Sequence, residues 1–153
     1  MKNENQTDHS HNLIRLGVIL FLLGLITGFV VPFLQNPRMG LSSHLEGVLN
    51  GILLIVFGLI WPKLKSSIKL NRLGYYLAIY GTFTNWLTTL LAAIWGAGSE
   101  MMPLSGMNKT GSAFQEILIK FGLISLSLSM IVIAVIILFG LRSKVDRKSD
   151  KIF

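Results

Sequence analysis

Residues 41–61 read LSSHLEGVLNGILLIVFGLIW. This is the length that a helix needs to cross the hydrocarbon core of a bilayer, which takes about 20 residues. The second half of the stretch is uniformly apolar, whereas the first half carries His44, Glu46 and Asn50. Polar and ionisable side chains are costly in a bilayer and usually face the interior of a helix bundle or a cavity. The stretch therefore predicts a membrane span with a polar site near one end.

Three further apolar stretches are long enough to span a bilayer, at residues 13–33, 73–94 and 114–141. Apolar residues make up 52% of the chain and charged residues 14%, and the mean hydropathy is +0.62. This balance is typical of integral membrane proteins and not of soluble domains. We see neither an internal repeat nor a domain boundary. The sequence predicts an all-α, integral membrane four-helix bundle in which residues 1–153 form a single membrane domain.

The basic residues indicate the orientation of the chain. There are 14 basic and 7 acidic residues, a formal net charge of +7. Most basic residues lie at the N-terminus, in the second connection and at the C-terminus: Lys2, Arg15, Lys63, Lys65, Lys69, Arg72, Arg142, Lys144, Arg147, Lys148 and Lys151. Because basic residues favour the cytoplasmic side of a membrane, both termini are predicted to be cytoplasmic. We attribute the charge to topology and the lipid bilayer, with no nucleic acid as a partner.

The polar residues of the second span fall on two faces of the predicted helix. At about 100° per residue, His44, Gly47 and Gly51 form one stripe, and Glu46 and Asn50 form another. The two glycines leave either an open shelf beneath the histidine, suitable for a flat ligand, or a close packing seam with another helix. Spacing alone leaves both alternatives open.

His44 is the only histidine inside a predicted span, because His9 and His11 lie in a polar leader where solvated tail residues are expected. A zinc site needs several protein ligands, which a lone histidine does not supply. The chain also has no cysteine, which excludes disulfides and thiolate-held clusters. A single imidazole suits haem b, which takes one axial ligand and can leave the other position open. Open ferric iron can act as a Lewis acid towards a substrate oxygen.

The third span is unusually polar, with Tyr76, Tyr80 and Asn85 close to one helical face. We expect Tyr80 and Asn85 to lie deep enough to contact a substrate. The alternative for Tyr80 is a hydroxyl that bonds to a neighbouring helix.

The connections differ in length and composition. QNPRMG, at residues 35–40, predicts a tight turn between antiparallel helices. The long, Gly- and Ser-containing connection at 97–112 predicts a mobile loop or a lid. Just after it, Glu116 and Lys120 are four residues apart and are predicted to neutralise one another.

Two longer motifs resemble a known family. NPRMGLSSHLEGVLNG, at 36–51, and YGTFTNWLTTLLAAIWGAG, at 80–98, resemble the hydroxylaminobenzene mutases, which are small four-span bacterial membrane enzymes. The core HLEGVLNG, at 44–51, is also similar to that of the styrene oxide isomerases, which share the architecture. The resemblance covers all four spans and leaves out residues 1–11 and 142–153.

The resemblance implies a homotrimer in the bacterial inner membrane that holds ferric haem b near its subunit boundaries. It implies that His44 is the axial ligand of the iron, and on this interpretation Gly47 and Gly51 adjoin the cofactor. Arg38 could pair with the haem propionates, although an arginine in this position could equally meet lipid phosphate.

The resemblance further implies that Asn50 and a tyrosine of the third helix shape the substrate pocket. Tyr80 is our choice for this tyrosine, with Tyr76 as a close alternative. Glu46 is either a proton relay or a structural group bonded to Arg38 or to a serine at the start of the helix.

The implied reaction is the rearrangement of an arylhydroxylamine to a 2-aminophenol, and the alternative is the isomerisation of an aryl epoxide to an aldehyde. Both substrates are small and aromatic, so a site within the bilayer is reasonable. Two other classes compete with an isomerase. A haem- or quinone-binding respiratory subunit would need a second histidine from another chain, and a small transporter would need a continuous polar path.

Overall fold

The computed structural model describes residues 2–142, with side chains from Gln6 onwards. Its helices are α1 (Lys2–Val30), α2 (Pro37–Ile60), α3 (Ile68–Trp95), the short α4 (Pro103–Gly106) and α5 (Ala113–Gly140). Single 3₁₀ turns extend α1 and α2 at Val31–Phe33 and Trp61–Lys63. Four of the basic residues that indicated a cytoplasmic C-terminus lie outside the described residues: Lys144, Arg147, Lys148 and Lys151.

The described residues contain four long helices, one at each place where a span was predicted. The segments that are long and apolar enough to cross a membrane are Gln6–Phe33, Pro37–Lys63, Ile68–Trp95 and Ala113–Gly140. α1 packs along α2, and α3 lies between α2 and α5. The four spans therefore follow the order α1, α2, α3, α5 across the bundle, and the connections after α1 and α3 share one end of it.

α1 and α2 meet along a seam of glycines. A Cβ atom built on Gly47 would lie 2.5 Å from the Cα of Gly24, and one on Gly51 would lie 2.6 Å from the backbone nitrogen of Phe21 and 2.8 Å from the carbonyl oxygen of Gly17. Small residues allow the two backbones to come into contact. In a bilayer such close packing drives helices to associate, because the hydrophobic effect does not. The packing alternative is the one that the structure shows. α1 fills the space beside Gly47 and Gly51 that a flat ligand on this stripe would require.

We expect Gly47→Ala to destabilise the bundle by about 1 to 3 kcal/mol, because the new methyl group meets backbone that cannot rotate away. Thermal unfolding in detergent measures the effect as a lowered midpoint. Gly140→Ala is the matched control, since its Cβ would lie 3.1 Å from a flexible methyl group of Leu64. Equal midpoints for the two variants would contradict a tight seam.

The polar leader is part of α1 and packs against the end of α2. The Gln6 side chain donates to the carbonyl oxygen of Leu64 at 2.9 Å, and Ser10 Oγ donates to that of Gly58 at 2.7 Å. His9 stacks on Tyr75, with ring centroids 4.2 Å apart. The prediction that His9 is a solvated tail residue is therefore wrong, because the leader continues α1 and its side chains donate to carbonyl oxygens at and just beyond the end of α2. His11 is exposed.

Asn36 joins the first and third connections. Its side chain caps α2 by accepting a hydrogen bond from the Met39 amide at 3.1 Å. It also donates to the carbonyl oxygens of Ser105, at 2.9 Å, and Gly106, at 3.2 Å. Ser42 and Ser105 make a further side-chain contact of 3.2 Å. The third connection therefore covers the N-terminal end of α2.

Glu116 and Lys120 do not pair, so that prediction is wrong. Glu116 Oε1 accepts hydrogen bonds from the amides of Gly98, at 2.9 Å, and Gly111, at 2.8 Å. Lys120 instead forms an ion pair of 2.7 Å with Glu100. An exposed pair four residues apart is worth only a few tenths of a kcal/mol, whereas two amide donors to one carboxylate are charge-assisted hydrogen bonds. Glu116 thus closes the loop that it follows.

Candidate active site

His44 lies two turns into α2, half-buried against α1. Its Nδ1 is 2.8 Å from the carbonyl oxygen of Gly24. A carbonyl oxygen only accepts, so Nδ1 carries a proton, and in the neutral form of the ring Nε2 then has the lone pair. Within residues 2–142 no group hydrogen-bonds to Nε2. Metal-binding histidines commonly donate their second N–H to a carbonyl in this way, so His44 has the tautomer that a metal ligand requires.

The His44 ring is also held sterically. A Cβ atom on Gly28 would lie 2.9 Å from its Nδ1, so α1 packs directly against one edge of the imidazole. Because α1 also fills the glycine seam below, a planar group bound to this histidine would have to lie on the Nε2 side of the ring.

The other face of α2 carries a polar cluster that joins α2 to α3. Glu46 Oε2 accepts hydrogen bonds from Asn50 Nδ2 at 2.9 Å and from Asn85 Nδ2 at 2.6 Å. Asn50 is only 6% exposed. The predicted division of α2 into two faces is confirmed, since His44 contacts α1 while Glu46 and Asn50 face α3. The predicted bonding of Glu46 to Arg38 or a serine is wrong, because two amides of the cluster occupy the carboxylate instead.

The orientation of the Asn50 amide is fixed by its partners. Nδ2 donates to the backbone carbonyl oxygen of Glu46 at 2.9 Å as well as to the carboxylate. Both partners only accept, so the amide nitrogen must face them. Oδ1 of Asn50 accepts no hydrogen bond within the described residues, and the same holds for Oδ1 of Asn85 and Oε1 of Glu46. Asn50 therefore presents only an acceptor, Oδ1, because both of its N–H groups are used, whereas Asn85 keeps one N–H as well as its Oδ1.

The tyrosines of α3 lie elsewhere. The Tyr80 hydroxyl is 2.7 Å from Ser125 Oγ on α5, which is the interhelical bond foreseen as the alternative to a substrate contact. Tyr80 is 42% exposed and Tyr76 57% exposed. The structure does not bring either tyrosine to Asn50 within one chain. Arg38 lies in the first turn of α2 with an exposed side chain.

Trp86 is a site neighbour that the sequence reasoning missed. Its Nε1 donates to Thr27 Oγ1 on α1 at 3.0 Å, and its Cδ1 would lie 2.8 Å from a Cβ on Gly47. Ser43 Oγ donates to its backbone carbonyl oxygen at 3.1 Å. Trp86 therefore bridges α3 to α1 across α2, one turn from His44. The sequence did contain a signal for this residue: Trp86 lies well inside a span, whereas the other two tryptophans lie near span ends.

The donor set fits haem better than a bare metal ion. Within residues 2–142 no group of three or more His, Cys, Asp or Glu side chains could hold a metal. One half-buried imidazole with a free Nε2 and a fixed tautomer suits a metal whose remaining ligands come from a cofactor. His44 is thus the residue that would coordinate the haem iron.

Comparisons with known proteins find hydroxylaminobenzene mutases, the family that the motifs at 36–51 and 80–98 resemble. Hydroxylaminobenzene mutase HabB of Ectopseudomonas oleovorans is 54% identical over 140 residues, which cover 92% of this chain and 85% of the relative. Hydroxylaminobenzene mutase HabA of the same organism is 43% identical over 129 residues, covering 84% and 96%. No solved structure matches the chain.

The sequence profile of the family described as styrene oxide isomerase matches residues 9–142, which include the four spans except for the first three residues of the first one. The predicted resemblance is thereby confirmed. It places the protein with isomerases and not with respiratory subunits or transporters. The chain is an isomerase of the styrene oxide isomerase family.

Proposed function

We propose that this protein rearranges a small arylhydroxylamine to a 2-aminophenol within the membrane. The observation that carries the choice of substrate is the orientation of Asn50, whose amide nitrogen is occupied by Glu46 and whose Oδ1 is left to accept. An arylhydroxylamine carries N–H and O–H donors, whereas an aryl epoxide carries only an acceptor oxygen. The identity to two hydroxylaminobenzene mutases supports the same choice.

The proposed setting is the bacterial inner membrane, with both termini cytoplasmic. The described basic residues of the second connection support this orientation. They lie at the same end of the bundle as the N-terminus of α1, and basic residues favour the cytoplasmic side. His44 and the cluster then lie in the outer half of the bilayer, beneath the first and third connections. A lipid-soluble aromatic substrate can reach such a site from the membrane.

We propose ferric haem b as the cofactor, bound through His44 Nε2. When bound, it would supply a Lewis-acidic iron for the substrate oxygen. The exposed Arg38, six residues earlier on α2, would provide a cation for a propionate. The half-buried environment of His44 leaves the free ring nitrogen reachable while the opposite edge is packed against α1.

The chain's own residues position the substrate and manage its protons. Asn50 Oδ1 accepts a hydrogen bond from the hydroxylamine group. The N–O bond breaks, the oxygen bonds to the ortho ring carbon, and the ring regains aromaticity when that carbon loses its proton and the nitrogen gains one, so that NHOH becomes NH₂ and no atom is lost. The Glu46 carboxylate accepts this proton, a general-base role that contributes roughly 10²- to 10⁴-fold in enzymes. A homotrimer, which we also propose, would let an exposed Tyr80 or Tyr76 complete the pocket of a neighbouring subunit.

The test is a side-by-side assay of hydroxylaminobenzene and styrene oxide with the purified protein, with products separated by chromatography. We expect kcat/KM for hydroxylaminobenzene to exceed that for styrene oxide by at least about 10²-fold, because the epoxide leaves the buried Asn50 Oδ1 without a donor. Heat-treated protein controls for the spontaneous rearrangement of both compounds. Equal or faster conversion of the epoxide would contradict the substrate assignment.

A further inference from the structure

A groove of about 410 Å³ lies between the start of α3 and the end of α5, at the end of the bundle opposite to His44. Its lining residues are Lys65, Ser66, Ser67 and Leu70 on one side, and Val135, Ile136, Phe139 and Gly140 on the other. A hydrogen bond of 2.7 Å from the Lys65 amide to the Gly140 carbonyl oxygen joins the two walls. The proposed rearrangement uses none of these residues.

Two basic residues adjoin the walls of the groove. Lys65 belongs to one wall. The guanidinium of Arg142 lies 4.7 Å from the centroid of the Phe139 ring, which belongs to the other wall. Lys63 and Lys69 flank the same connection, and among the acidic side chains that the structure describes, Asp8 alone belongs to this end of the bundle. The groove therefore combines a strongly positive rim with an apolar interior.

We propose that this groove binds one anionic glycerophospholipid. The phosphate lies between Lys65 and Arg142, and an acyl chain follows the apolar surface of Val135, Ile136 and Phe139. Basic pockets between membrane helices at the cytoplasmic surface select anionic headgroups. A zwitterionic lipid brings its own positive charge to the same rim, so it binds more weakly. The site is independent of the proposed reaction.

Native mass spectrometry of the full-length protein in detergent tests the proposal directly. With dioleoyl phosphatidylglycerol added stepwise, we expect a one-lipid adduct that dioleoyl phosphatidylcholine does not match at equal concentration. Lys65→Gln should weaken the adduct about fivefold, the effect of one basic residue on an anionic lipid. Lys63→Gln is the matched control, because it removes the same charge two residues away without touching the groove; it should change the adduct less than twofold.

A second variant tests the apolar half of the site. Val135→Trp fills the groove with both cations in place, and we expect it to remove the lipid adduct while turnover of hydroxylaminobenzene stays unchanged. Three results would overturn the proposal: equal weakening by Lys63→Gln and Lys65→Gln, a normal adduct in Val135→Trp, or displacement of the lipid by glycerol phosphate at equal concentration. The first would indicate general surface charge, and the last a site for free phosphate.

Discussion

His44→Ala is expected to abolish haem retention and turnover together. The described chain has no other side chain that could replace this ligand at the same place, since it contains no cysteine and no cluster of metal-binding residues. Alanine also removes the ring that packs against Gly28 and takes the side-chain donor from the Gly24 carbonyl oxygen. The measurement is an absorption spectrum and an assay with hydroxylaminobenzene on the same preparations. Both the Soret band and the activity should fall to background.

His11→Ala provides the matched control, because it deletes an exposed imidazole from the same chain. It should keep the band and the activity of the parent protein. Activity without a band in His44→Ala would remove iron from the reaction. A low-spin spectrum with two histidine ligands in the parent protein would instead contradict the open axial position, since only one histidine lies in the site.

Added imidazole separates loss of the ligand from loss of the fold. The His44→Ala variant leaves a gap beside Gly28 that is bounded by the carbonyl oxygen of Gly24. Free imidazole can bond to that carbonyl and present its second nitrogen as the ring of the histidine does. We expect it to restore part of the band and of the activity. A correctly folded variant that no concentration of imidazole rescues would place the role of His44 in packing alone.

The four spans were predictable because hydropathy over 20 residues reports directly on what a bilayer accepts. The two faces of α2 were predictable as well, since helical periodicity fixes the angle between His44 and Glu46 without knowledge of any neighbour. The choice between a ligand shelf and a packing seam at Gly47 was not. That choice depends on which helix comes closest, and a glycine pattern is the same in both cases.

Partners across helices depend on register, which a single sequence does not carry. Nothing in the spacing of α2 indicated that Asn85 would meet Glu46, because the contact requires α2 and α3 to be aligned in height as well as in rotation. Glu116 illustrates the opposite error. A favourable spacing to Lys120 was visible in the sequence, but the unpaired amides of a glycine-containing loop were stronger competitors for the carboxylate. His9 was misjudged because the composition of a leader does not reveal that it docks.

Glu46→Gln is expected to lower kcat by about 10²-fold, the smaller end of the range for loss of a general base. Glutamine keeps an oxygen that can accept from Asn50 or Asn85, so the cluster and substrate binding should survive with little change in KM. What glutamine lacks is a carboxylate that can take the proton from the ring carbon. The measurement is steady-state kinetics with hydroxylaminobenzene. Glu46→Ala should lose the same factor in kcat and also raise KM, because Asn85 then loses its acceptor.

Glu116→Gln is the matched control for this prediction. It makes the same change at a carboxylate that also accepts two hydrogen bonds, but in the third connection and not beside Asn50. The remaining amide oxygen can still hold the loop, so kcat should stay within about twofold of the parent, as for a substitution that removes no reacting group. If Glu46→Gln likewise kept its kcat, the carboxylate would serve only to turn the nitrogen of Asn50 away from the substrate. The split between kcat and KM therefore distinguishes a proton acceptor from a positioning residue.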